Sequence, residues 1–162
     1  MKKKTLFNKI NREELKQELA AEPFNRKTAS FYRYVPIADP QAFRDELYLK
    51  WDELKVFGRV YVATEGINAQ VSVPEQNWDE FLSQMNGIKE LKRIPIKRAL
   101  QDGHSFYKLS IKVRDELVSY GIPETSYDMN RVGNHLAAKE YNAALEDPNT
   151  TIVDMRNYYE SE

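Results

Sequence analysis

The chain has 162 residues, 41% of them hydrophobic and 30% charged, with 24 Lys and Arg against 25 Asp and Glu. That balance suits one globular domain with an appendage and excludes an intrinsically disordered chain. The sequence contains no cysteine and only two histidines, His104 and His135, which excludes disulfides, thiolate chemistry and a histidine-rich metal cluster from these residues.

No apolar run approaches the roughly 20 residues that cross a bilayer. The charged start MKKKTLFNKINREE has no apolar segment behind it, so neither a secretory leader nor a membrane partner is expected. Asn11 to Glu14 then reads as a helix start, with Asn11 as cap, Glu14 at the reciprocal position and an Ile10–Leu15 staple. Residues 1–27 are expected to form an N-terminal helical extension. The β-rich stretch ASFYRYVPIA (29–38) follows, and Asp39-Pro40 opens a helix with Phe43, Leu47, Trp51 and Leu54 on one stripe. After Gly58, residues 59–63 and 69–73 alternate as the arms of a hairpin, with Glu65-Gly66-Ile67-Asn68 as its turn.

Pro74 is expected to open a second helix carrying Trp78, Phe81, Leu82 and Met85, ended by Asn86-Gly87. A short strand near Ile94 to Lys97 precedes a strictly alternating strand from Phe106 to Arg114. Residues 28–115 thus predict an α+β fold, a ferredoxin-like (acylphosphatase-like) βαββαβ sandwich with both helices on one face of an antiparallel sheet. Residues 116–136 read as a connector. Residues 137–162 read as the start of a second α/β unit, with a helix over 138–146 and a strand at Thr151 to Met155.

Charge along the chain is uneven. Residues 92–114 carry seven Lys and Arg against Asp102, while the chain from Glu140 onward carries six acids and Arg156. Alternation sends Tyr107, Leu109, Ile111 and Val113 to the core, with Val60, Val62, Ala69, Val71 and Val73 from the hairpin. Phe106, Lys108, Ser110, Lys112 and Arg114 then face outward with Arg59, Tyr61, Gln70 and Ser72. The first strand is ambiguous, because its two sides are both mixed. A basic sheet face with interleaved aromatics binds RNA through phosphate pairing and base stacking, and a solvated face is the competing reading. The candidate RNA contacts are Arg59, Tyr61, Lys108, Lys112 and Arg114. No phosphate-binding glycine loop, serine elbow or metal spacing is present in the sequence. No catalytic residue, metal site or cofactor is therefore assigned.

The stretches SFYRYVPIADP, VFGRVYVATEGINAQVSV, SFYKLSIKVRDELVSYGI and VDMRNYYE together resemble the bacterial rhodanese-like family of tRNA uridine-34 hydroxylases, from about Phe31 to Glu160. The resemblance implies a ferredoxin-like domain followed by a rhodanese domain, incomplete here, in a cytoplasmic enzyme. The implied activity hydroxylates wobble uridine-34 to 5-hydroxyuridine with molecular oxygen as co-substrate, and the implied partners are tRNA and the missing rhodanese domain. The implied essential cysteine has no counterpart in these residues, whereas Asp154-Met155-Arg156 matches the rhodanese Asp-x-Arg. The alternative reading is a non-catalytic scaffold domain packed on a rhodanese-type sulfurtransferase.

Overall fold

The computed structural model describes residues 6, 10–99, 105–117, 126, 128, 131 and 133–154. His104, most of the connector, and Met155 onward lie outside them. The chain divides into two compact units, 1–123 and 124–162. The first contains α1 (Arg12–Ala20), β1 (Arg26–Tyr34), α2 (Pro40–Glu53), β2 (Phe57–Ala63), β3 (Gly66–Pro74), α3 (Trp78–Gly87), β4 (Lys97–Arg98) and β5 (Leu109–Val113). The second contains α4 (Ala138–Glu146).

Local chemistry accounts for the helix boundaries. Asn11 Oδ1 accepts the Glu13 N–H at 3.0 Å, and the Asp39 carboxylate accepts the Ala42 N–H at 2.9 Å, so both expected caps form. Of the expected staple, Leu15 is buried and Ile10 is exposed. The end of α2 lies before Gly58, at Lys55, whose φ is 54°. There the Lys55 N–H reaches the Asp52 carbonyl at 3.1 Å and the Val56 N–H reaches the Trp51 carbonyl at 2.9 Å. This is a Schellman closure with lysine where glycine is usual, and buried Val56 supplies its hydrophobic contact. Pro74 ends β3 instead of opening a helix, and one 3-10 turn over Glu75–Asn77 leads into α3.

The sheet runs in the order β4-β1-β3-β2-β5. Its β1–β3, β1–β4 and β2–β3 pairings are antiparallel, whereas β5 runs parallel to β2. The sheet is therefore mixed, not antiparallel throughout as expected. The strand after α3 that joins β1 is the two-residue β4, and the alternating segment occupies the opposite edge. Period-2 alternation reports a half-buried strand but carries no information about its neighbour.

Phe43, Leu47 and Trp51 of α2 share one core with Phe81 and Met85 of α3 and the inward residues Ala29, Phe31, Val60, Val62, Ala69, Val71, Leu109 and Ile111. Both helices therefore cover the same face. At its centre the Trp51 ring meets Phe31 edge-on at 6.2 Å and Phe81 at 5.5 Å. Two residues expected in this core lie outside it. Tyr107 precedes β5 and lies 5.8 Å from the Arg12 guanidinium, and Val113 is exposed at the sheet rim.

In the second unit, the Glu140 carboxylate accepts the Ala137 N–H at 2.8 Å at the start of α4. The expected strand over residues 151–154 does not form: these residues join no ladder, and Ile152 and Val153 are 56% and 70% exposed. A strand exists through its hydrogen-bonded neighbour, and apolar β-branched residues signal only the capacity to pair.

Candidate nucleic-acid interface

Strand register defines the sheet face turned away from α2 and α3. Cross-strand partners point to the same side, so Lys97, Ser30, Gln70, Arg59 and Ser110 form one row across all five strands. The adjacent row is Tyr32, Asn68, Tyr61 and Lys112. A polar and cationic row thus lies beside an aromatic and amide row.

Four of the five expected RNA contacts come together here. Arg59 stands opposite Ser110, Tyr61 opposite Lys112, and the Arg114 guanidinium lies 5.4 Å from the centre of the Tyr61 ring. The Arg114 N–H also donates to the Val62 carbonyl at 2.8 Å, which fixes this residue at the end of β5. Lys108 lies at the near end of the same edge and lines one concavity with Ser110 and Lys112. It precedes β5, is exposed, and has its ammonium 5.9 Å from the Tyr107 ring.

The β1 residues on this face escape sequence reasoning. Tyr32 is 63% exposed and Tyr34 is 40% exposed, and both lie on the Ser30 side. Arg33 obscured the pattern by occupying the core side at the end of the strand. Its guanidinium donates to the Glu90 and Lys92 carbonyls at 3.2 and 2.9 Å, securing the loop after α3. The antiparallel register with β3 is the signal that resolves the two sides.

The expected turn at 65–68 is shorter than anticipated. Only Thr64 and Glu65 turn, while Gly66 already pairs with both Ala63 and Tyr34. A Cβ on Gly66 would sit 2.1 Å from the Arg33 carbonyl oxygen, so close approach of β1 requires glycine there. Ile67 is fully buried. Glu65 is buried too, and its carboxylate accepts the Leu117 N–H at 2.5 Å beyond β5. The backbone carbonyls of Glu65 and Thr64 accept from Val35 and Ile37, each at 2.9 Å. This hairpin tip thus fastens the chain leaving β1 and the chain leaving β5.

The outward face is closed at its other end. Ser72 is fully buried, and buried Arg26 forms a two-pronged pair with Glu22 at 2.6 and 2.7 Å. The Arg26 guanidinium also lies 3.9 Å from the Phe57 ring. The accessible part is therefore centred on the two rows. His135 is exposed, and the described residues contain no group of three His, Cys, Asp or Glu able to hold a metal ion. No helix of the described residues is long and apolar enough to cross a membrane.

A mixed five-stranded sheet with α2 and α3 on one face and a polar, cationic and aromatic opposite face defines an α+β domain of the acylphosphatase-like class. The chain belongs to the UPF0176 family, whose acylphosphatase like domain model matches residues 26–117. A protein of Leptospira interrogans named tRNA uridine(34) hydroxylase is 43% identical over 162 residues, covering 99% of this chain and 44% of its own length. Its namesakes from Erwinia tasmaniensis and Pectobacterium carotovorum are 50% and 46% identical over 159 residues, each covering 97% of this chain and 45% of its own length. The chain thus spans less than half the length of these curated relatives. Among solved structures, a BLUF protein in its dark state superposes with a TM-score of 0.43 at 13% identity, over 57% of this chain and 74% of that one.

Proposed function

We propose that this chain supplies the N-terminal part of a cytoplasmic enzyme that hydroxylates tRNA uridine-34 to 5-hydroxyuridine, with molecular oxygen as co-substrate. Its role there is to dock the tRNA on the outward sheet face. The observation that carries this reading is 43–50% identity along nearly the whole chain to proteins named for that activity. The cationic and aromatic rows supply the matching chemistry, since Lys and Arg neutralise phosphates and exposed rings stack on unpaired bases.

On this reading the path from β1 to β4 is a ferredoxin-like βαββαβ unit with β5 appended, and α4 opens a rhodanese-like domain. These residues contain no cysteine, so the essential thiol implied by the family resemblance comes from elsewhere in the enzyme. A filter-binding titration against tRNA at low salt tests the docking role. Replacing Lys108, Lys112 and Arg114 by Gln is expected to weaken binding and to reduce the salt slope by roughly two to three. No binding, or binding indifferent to the triple substitution, overturns it. Loss of amine labelling at the exposed Lys108 and Lys112 in a longer chain without RNA would instead favour a scaffold that buries this face.

A further inference from the structure

Beside the β1–β4 edge, Ser30, Tyr32, Asn68, Gln70, Pro95 and Lys97 line a concavity of about 380 Å³. That volume falls in the range of small-molecule sites. Its chemistry differs from the cluster of Arg59, Tyr61, Lys112 and Arg114. Tyr32 supplies an exposed ring, while the Asn68 and Gln70 amides make no hydrogen bond among the described residues. The exposed Lys97 supplies a cation opposite Ser30. A primary amide presents a donor and an acceptor in one plane, the arrangement that matches the hydrogen-bonding edge of a base.

We infer that this concavity is a subsite for one unpaired nucleotide of the RNA, with Tyr32 stacking on the base, Asn68 and Gln70 reading its edge, and Lys97 pairing with a phosphate. The inference rests on the docking role proposed above and adds a base-selective position to it. From Lys97 on β4 to Ser110 on β5 the row crosses four strand spacings, about 19 Å. A single strand laid along it runs from this subsite toward Tyr61 and Lys112, and two or three stacked bases suit such a sheet.

The test uses the 162-residue chain with oligouridylate, oligoadenylate and oligocytidylate of about nine nucleotides, and with an abasic oligomer of equal length. Expected results are preference for one base over the abasic oligomer, about tenfold weaker binding in Tyr32→Ala, and recovery in Tyr32→Phe. Asn68→Ala and Gln70→Ala should flatten the base preference at an unchanged salt slope, and Lys97→Gln should lower that slope by about one. Tyr32 is exposed, so its substitution leaves the core intact, and Tyr32→Phe controls for folding. If the abasic oligomer binds as tightly as the others, or Tyr32→Ala binds like the parent while the Lys108, Lys112 and Arg114 substitutions still weaken tRNA binding, the subsite is overturned and the docking role stands. If the parent binds neither tRNA nor any oligomer, both fall.

Discussion

Arg26 shows how much a single side chain organises in this domain. It is buried, pairs twice with Glu22, and donates to the Lys55 and Ser72 carbonyls at 3.0 and 3.1 Å. One guanidinium therefore joins the segment after α1, the end of α2 and the C-terminal part of β3. Arg26→Ala leaves a mostly buried carboxylate and two carbonyls without their donor, and is expected to cost about 3–5 kcal/mol in urea unfolding. Lysine cannot reproduce the planar fork, so Arg26→Lys should recover only part of the loss. Asp39 and Asn11 were readable as caps because their partners lie two or three residues away. Arg26 was not, because its carbonyl partners lie 29 and 46 residues along the chain.

Among the elements, the C-terminus of α2 is the clearest departure from local preference. Lys55 occupies the left-handed position of a Schellman closure at φ 54°, where a side chain costs roughly 1 kcal/mol or more. Lys55→Gly relieves that cost while loosening the unfolded chain, and is expected to raise stability by up to about 1 kcal/mol, read as a shift in urea midpoint at constant slope. The helices themselves were legible, since Phe43, Leu47, Trp51, Phe81 and Met85 announce their buried stripes by spacing. Alternation likewise assigned Arg59, Tyr61 and Lys112 to the outward face. It failed for β1, where Arg33 serves the loop after α3 from the core side. It also lengthened the hairpin turn, because Gly66 and Asn68 are usual turn residues that here serve strand contact and an outward amide.

For the whole molecule, the contrast between β5 and residues 151–154 is measurable. Ile111 lies in a ladder with β2 and is buried, whereas Ile152 and Val153 are exposed and belong to no ladder. Hydrogen exchange in this chain should therefore be slow at Lys112 and Arg114, which lie on the side of β5 whose backbone groups face β2, as the Arg114 N–H on the Val62 carbonyl at 2.8 Å shows, and close to the unprotected rate at Ile152 and Val153. Comparable protection at the two places would contradict the structure.

The pairing of β2 with β5 also bears on how the domain is made. Gly58 faces Leu109, and Val62 faces Val113, so β2 waits for a partner about fifty residues further on. At a synthesis rate of roughly 5–20 residues per second, that interval is about 3–10 s. Until it ends, one side of the β2–β3 hairpin is an open edge able to pair with another nascent chain. The last strand of the sheet is thus also the one that covers the open side of its central hairpin.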